Sequence, residues 1–346
     1  MHRITIKDVA QRAGVSTTTA SFALNNVTDR VSAKTRSNVL KTAKELGYVP
    51  NTNASKLRKN VSDNLMLVYS QVFLEEQNAS TTRFILGVLS ATKKIKKDVI
   101  IKSFSPYEDW DVMIQSYAHL WASRKVDGII FFCAVDDNVP DYVFSKLYNE
   151  YGVNLVNATA PAKANELQKD YPIVYDDSYN AVQNALEFIT NEKFKEIYYI
   201  GMDYKNFYPI RYQSYLDYMK KTDAIGKLLT YNSIYRSYDE IWNLIQPCLE
   251  KQNKDIAFMC WNDVDAITVL ELLRIKEINS KYRIGVIGYD DIPTASHTTP
   301  AITTISTPHD IIAKHCVKTV CDNFENRPAK PQNIVVDAKF IRRKSL

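Results

Sequence analysis

Asn, Asp and aromatic side chains recur just beyond the apolar runs of this chain, and together they have the chemistry to hold a sugar. Ser70 and Phe73 follow LMLVY (65–69), Cys133 to Asp137 close VDGIIFFCA (126–134), and Met202 to Tyr204 follow IYYIG (197–201). Trp261-Asn262-Asp263 ends IAFMCW (256–261), and Tyr289-Asp290-Asp291 follows IGVIG (284–288). Amide and carboxylate oxygens pair with hydroxyls, while an aromatic face covers the apolar C–H side of a pyranose ring. The enzymatic alternative is an acid–base pair, but no nucleophile or metal-ligand set stands beside these groups. No catalytic residue, metal or cofactor is therefore expected.

The elements that must position these residues can be read from the same runs. With VIIKSF (99–104), the runs are short and almost wholly apolar, as buried strands of a parallel sheet are. Between them lie amphipathic segments near 81–96, 111–124, 178–191, 210–221, 238–252 and 262–276. Alternation of this kind predicts doubly wound α/β layers, whose ligands bind outside the carboxyl ends of the strands. A body of roughly 280 residues is large for one such sheet and suits two stacked halves.

The first sixty residues have a different pattern. Thr5 with Asp8 resembles a capping box and opens a helix with Ile6, Val9, Ala10 and Ala13 on its apolar face, ended by Gly14. Ser16 caps a second helix through Asn25, with Ala20, Ala23 and Leu24 inward. Ser32 caps a third, with Val39, Leu40, Ala43 and Leu46 inward and Gly47 as its stop. Two helices joined by so tight a turn form a helix-turn-helix, whose second helix enters the major groove. Thr17, Thr18, Ser21 and Phe22 then face outward. Phe22 can touch a thymine methyl but cannot hydrogen-bond a base edge, and the threonines can do either. Ser16, Thr19, Ser21 and Asn25 are placed to hold phosphates. Thr5 and Ser32 complete the expected DNA-binding set.

Charge supports this division. Residues 1–60 carry eleven Lys or Arg against three acids, a net of +8, while the whole chain of 346 residues has a net charge of +5. A basic head on a mildly acidic body points the head toward a polyanion. The longest apolar stretch, Ile129 to Val135, is far too short to span a bilayer, and MHRITIKD has no signal-peptide pattern. Five scattered cysteines without a C-x-x-C pair fit a reduced compartment, and the Walker and G-x-G-x-x-G signatures are absent. The Arg342-Arg343-Lys344 tail reads as solvated.

TIKDVAQRAGVS, Ala20-Ser21-x-x-Leu24-Asn25, VSAKTR and Leu46-Gly47-Tyr48-Val49-Pro50-Asn51, followed by Ala54 and Leu57, resemble the amino-terminal domain of the LacI/GalR family of bacterial transcription regulators. The resemblance implies a hinge helix opened by Asn51 and including Ala54. Leu57 would be the wedge driven into the minor groove, with Arg58 reaching in beside it, and a wedge of this type kinks the duplex. Phe22 stands where many relatives have arginine and Ala20 where they have valine, so the operator half-site is expected to differ from the commonest family sequence.

In the body, RKVDGIIF, VYDD (174–177), Arg211 and Tyr215 in RYQSY, CWNDVDA (260–266) and GVIGYDD with PAITTIS (285–306) are similar to landmarks of the family's effector domain, which resembles periplasmic sugar-binding proteins. The resemblance implies effector contacts from Arg211, Asn262 and Asp290. Trp261 is expected as a stacking wall, with Ser70, Phe73 and Asp177 as further contacts. YSQVFLEEQNASTTRF replaces an Asn-Pro-Phe-like stretch, Ser214 replaces a frequent glycine, and a proline common before GVIGYDD is missing from INSKYR.

The expected organisation is an all-α helix-turn-helix head (1–49), a hinge helix and linker (50–61) and an α/β effector-binding and dimerisation domain (62–346) of two doubly wound parallel-sheet subdomains. The first subdomain takes 62–168 and 302–330, the second 169–301 and 331–346. The resemblance implies a cytoplasmic bacterial repressor, associated with the nucleoid through its DNA, that binds a near-palindromic operator as a homodimer and is released by a sugar. Its alternative is a regulator dependent on a corepressor or partner, sensing a purine or phosphorylated metabolite.

Overall fold

The computed structural model describes residues 4–27, 29–49, 61–71, 79–105, 108–133, 139–159, 169–203, 209–232, 237–251, 254–278, 280–325 and 330–346, with backbone alone at 79, 80 and 325. The chain divides into two units, Met1–Ser62 and Asp63–Leu346. Asn51, Ala54, Leu57, Arg58 and Phe73 lie outside the described residues.

The first unit holds α1 (Ile6–Ala13), α2 (Thr17–Leu24) and α3 (Ala33–Glu45). The Asp8 carboxylate accepts from both the amide and the hydroxyl of Thr5 at 2.7 Å, and Gly14 ends α1 at φ +66°. Ser16 and Ser32 accept from the Thr19 and Thr35 amides at 3.0 and 3.2 Å. Val9, Ala10, Ala20, Ala23, Val39 and Ala43 form a small core in which alanines let the helices approach closely. Leu40, expected inward, is 42% exposed, and Thr42 is buried instead. Counting from Val39, the inward face of a 3.6-residue helix falls at 42, 43 and 46, and Leu40 lies about 100° away from Val39.

The second unit contains two six-stranded sheets. The first is built from β1 (Asn64–Ser70), β2 (Asp98–Phe104), β3 (Gly128–Phe132), β4 (Leu155–Asn157), β5 (Ile173–Asp176) and β11 (Asn333–Val336), in the order β11-β5-β4-β3-β1-β2. The second is built from β6 (Glu196–Met202), β7 (Leu228–Tyr231), β8 (Ile256–Cys260), β9 (Ile284–Tyr289), β10 (Thr303–Ser306) and β12 (Lys339–Ile341), in the order β12-β10-β9-β8-β6-β7. Pairing is parallel except between β10 and β12.

Each sheet is covered on both faces. Alternation along β1 sends Met66 and Val68 to one core and Leu65 and Leu67 to the other. On the first sheet those cores are completed by α5 (Trp110–Ala122) and α6 (Asp141–Asn149) on one side, and by α4 (Ala79–Lys94) and α11 (His309–Glu325) on the other. The second sheet is covered by α7 (Ser178–Asn191) and α8 (Ile210–Lys221) on one side, and by α9 (Tyr238–Glu250) and α10 (Asp263–Ile275) on the other.

Sheet membership changes at different places from those expected. β5 belongs to the first sheet although 169–301 was assigned to the second half; β10 belongs to the second and β11 to the first. The chain therefore crosses after Asp176, after Ser306 and after Val336. These strands have four residues each, too few to mark a boundary by composition.

Candidate functional site

In both sheets strand order reverses beside the first strand, between β1 and β3 and between β6 and β8. The carboxyl ends at such switch points are where open α/β sheets bind ligands. Ser70 ends β1 and is fully buried, while Trp261 and Asn262 follow β8.

Arg211 is set in the first turn of α8 by two tyrosines on the same helix. The Tyr212 hydroxyl donates to the Met202 carbonyl at 2.8 Å and that of Tyr215 to the Ile197 carbonyl at 2.6 Å, fastening α8 along β6. Gly201 permits this approach, since a Cβ there would lie 2.0 Å from the Tyr212 oxygen. Ser214, where a glycine is common, donates to the Tyr179 carbonyl at 2.7 Å and so ties α8 to α7.

Held in this way, Arg211 donates to the Trp261 carbonyl at 3.1 Å. Its guanidinium carbon lies 3.4 Å from the Tyr289 ring centroid and 4.7 Å from that of Trp261. It approaches the Asp290 carboxylate at 3.9 Å. Burial raises the Asp290 carboxyl above its ordinary value, and Arg211 opposes that rise. Asp290 and Asp291 both have positive φ, +98° and +55°, a costly pair outside glycine in the turn that follows β9.

Asn262 caps α10, its side-chain oxygen accepting from the Asp265 amide at 2.8 Å. Trp261 is half-buried and meets Tyr212 edge-on at 5.4 Å. Asp177 caps α7, accepting from the Asn180 amide at 3.2 Å. Its neighbour Asp176, which sequence reasoning passed over, accepts from the Tyr289 hydroxyl at 2.8 Å and from Ser178 at 2.5 Å. Arg83 on α4 was also missed. Its Nη1 donates to the Asp290 and Asp291 carbonyls at 3.1 and 3.2 Å, reaching from the first half to the second. Arg343, expected to be solvated, pairs with Asp291 at 2.5 Å and donates to the Ile302 carbonyl at 2.8 Å.

In the head, Ser16, Thr17 and Thr18 are exposed at the start of α2, and Thr19, Ser21 and Phe22 are half-buried. Exposed Asn25 folds back onto Ser21, donating to its carbonyl at 2.8 Å. Thr5 and Ser32 are exposed helix caps. Phe22 thus shares its surface between the bundle and whatever α2 meets.

Residues 5–51 match the model of bacterial regulatory proteins of the lacI family, and residues 186–346 match that of a periplasmic binding protein-like domain. The HTH-type transcriptional repressor PurR of Klebsiella pneumoniae is 25% identical, covering 99% of this chain and 96% of its own. Among solved structures, the lac repressor dimer bound to operator and the anti-inducer ONPF superimposes with a TM-score of 0.78 at 18% identity, covering 99% of both chains. The complex of the transcriptional regulator CelR with cellobiose gives 0.64 at 22% identity, covering 99% of this chain and 100% of the other.

Proposed function

The chain belongs to the LacI family of bacterial regulatory proteins, DNA-binding transcriptional repressors rather than enzymes, and on that premise we propose that a small uncharged sugar, bound between the two sheets of its body, releases it from its operator. It acts as a homodimer in the bacterial cytoplasm, because one head makes too few phosphate contacts and two heads read a near-palindromic site. Thr17, Thr18 and Phe22 read bases, with Phe22 favouring thymine methyls. Thr5, Ser16, Thr19, Ser21, Asn25 and Ser32 hold phosphates, and Leu57 with Asn51, Ala54 and Arg58 forms the hinge and wedge.

The observation that carries the sugar reading is the mutual neutralisation of the cleft. Arg211 faces Asp290 and Arg343 pairs with Asp291, while Arg83 hydrogen-bonds the carbonyls of that turn and its charge acts on Asp290 as well. What is offered to a ligand by Ser70, Asp177, Trp261, Asn262 and Asp290, with Phe73, is oxygens, an amide and aromatic faces. That set suits hydroxyls better than a phosphate. Closure around the sugar shifts the two halves, changes the separation of the paired hinges and melts the helix carrying Leu57. Operator binding then weakens sugar binding by the same factor, a coupling of about 1–3 kcal/mol.

The test is a thermal-shift screen of the full chain against mono- and disaccharides, sugar phosphates, nucleosides and purines, followed by operator binding with each hit. A neutral sugar that stabilises the chain and loosens the operator is the expected result. A purine or phosphorylated metabolite that stabilises it and tightens the operator would replace the inducer reading with a corepressor one.

A further inference from the structure

The chain arriving from the head enters the body at β1, and β1 lies between β2 and β3. Register puts Asn64 beside Asp98 and Leu65 beside Gly128, so the three strands begin side by side at spacings of roughly 4.8 Å. The chain reaches β2 through Lys93-Lys94-Ile95-Lys96-Lys97 and β3 through Ser123-Arg124-Lys125. A basic turn therefore flanks the entry on either side. Hydrogen bonds fasten both turns to it: the Asp98 amide donates to the Asp63 carbonyl at 2.9 Å, and the Asn64 side-chain amide to the Lys125 carbonyl at 3.1 Å.

Nearby acids leave most of this charge standing. Asp127 is buried and accepts from the Asp63 amide at 2.8 Å and from Lys97 at 2.7 Å. Asp322, near the end of α11, pairs with Lys318 at 2.5 Å. Lys93, Lys94, Lys96, Arg124 and Lys125 are exposed, and none of them has an ion pair among the described residues; the other acids at these strand ends are Asp63 and Asp98. The helix dipole accounts for cations in the last turn of α4, where Lys93 and Lys94 stand. It does not account for Lys96 and Arg124, which lie past the helix ends at φ +58° and +54°. A glycine would be cheaper for the fold at either position.

We propose that these five cations form a second DNA-binding surface, on the body, which holds the phosphate backbone of the duplex that the head reads. Residues 50–62 join this surface to the head and, even fully extended, span no more than about 50 Å. A duplex gripped by the head is thereby kept at high effective concentration for the patch, and it carries a negative charge about every 1.7 Å along its axis. Cations on turns hold phosphates without reading base edges, so the surface adds affinity and salt dependence and no sequence preference.

The test uses the full chain and the duplex that it selects from a randomised library. One variant carries Lys93→Gln, Lys94→Gln, Lys96→Gln, Arg124→Gln and Lys125→Gln. A matched control replaces with glutamine five exposed lysines in the second sheet's half, Lys193, Lys195, Lys221, Lys251 and Lys281. A plot of log affinity against log salt concentration should be shallower by about 2 or more for the patch variant, since each lost phosphate contact removes roughly 0.9 from the slope. The control should keep the wild-type slope. Equal slopes in wild type and patch variant overturn the inference, and so does an equal fall in both variants, which would be an effect of net charge alone. If the fivefold variant does not fold, a protein with Lys96→Gly and Arg124→Gly decides, since it should melt no lower than wild type and still lose about 1 or more from the slope. An unchanged slope in that protein overturns the inference whatever its melting temperature.

Discussion

Tyr289 donates its hydroxyl to the Asp176 carboxylate at 2.8 Å, and the two residues end strands of different sheets. Ser178 completes the contact, 3.1 Å from the same hydroxyl. The floor of the cleft is thus one hydrogen-bonded network shared by both halves, and Arg211 lies over its tyrosine. A group placed there senses the spacing of the sheets directly.

Tyr289→Phe leaves Asp176 with one donor fewer in a buried site. Chemical denaturation should show a loss of about 1–3 kcal/mol. A loss indistinguishable from zero would mean that the contact between the sheets carries no net energy.

Arg211→Lys keeps the charge but gives up the planar fork that reaches the Trp261 carbonyl while facing the Tyr289 ring. Operator affinity without effector should be unchanged, and the effector concentration needed for release should rise about tenfold or more. Fluorescence titration with labelled operator measures both, and a parallel loss of unliganded operator binding would place the arginine in DNA recognition instead.

Asp263 is fully buried between Thr304, whose hydroxyl donates at 2.6 Å, and the Ile292 amide at 2.8 Å. Burial raises its carboxyl from 3.8 to about 7. Between those values the folded chain holds a proton that the unfolded chain has released, so stability falls as pH rises through that window. Asp263→Asn has no such proton. The melting temperature of wild type relative to Asp263→Asn should therefore drop between about pH 4 and about pH 7, and a flat difference would contradict the assignment.

On the proposed hinge role, Leu57→Ala should weaken operator binding roughly tenfold or more while leaving effector affinity nearly intact, since a wedge at that position would act on the duplex alone. Mobility-shift and calorimetric titrations separate the two, and equal loss of both would remove the hinge role.

The head was the most legible part of the sequence because its signals are local. Thr5, Ser16 and Ser32 each stand where a helix begins, and Gly14 takes the positive φ that stops α1. The long apolar strands β1, β3 and β8 were legible for the same reason. The crossings were not, because whether β5 or β10 joins one sheet or the other depends on partners more than a hundred residues away in some cases, as for Ile173 beside Asn333. In the cleft, VYDD drew attention to Asp177, yet its neighbour Asp176 holds the tyrosine. Two adjacent aspartates look alike until the strand ends and the helix cap begins between them. Arg83 had no spacing that could have marked it, since it gains its meaning from contacts with carbonyls far away in the sequence.

The two late crossings also fix a timetable. β11 and β12 are the outer strands of the two sheets, and beyond β12 the Ser345 hydroxyl donates to the Val286 carbonyl and accepts from the Thr303 amide. A ribosome must therefore translate past residue 336 before the first sheet is complete and past residue 345 before the second half is, whereas the head has everything it needs once Tyr48 has emerged. During synthesis, each copy of this regulator passes through an interval in which its DNA-reading bundle is folded and its sensor is not.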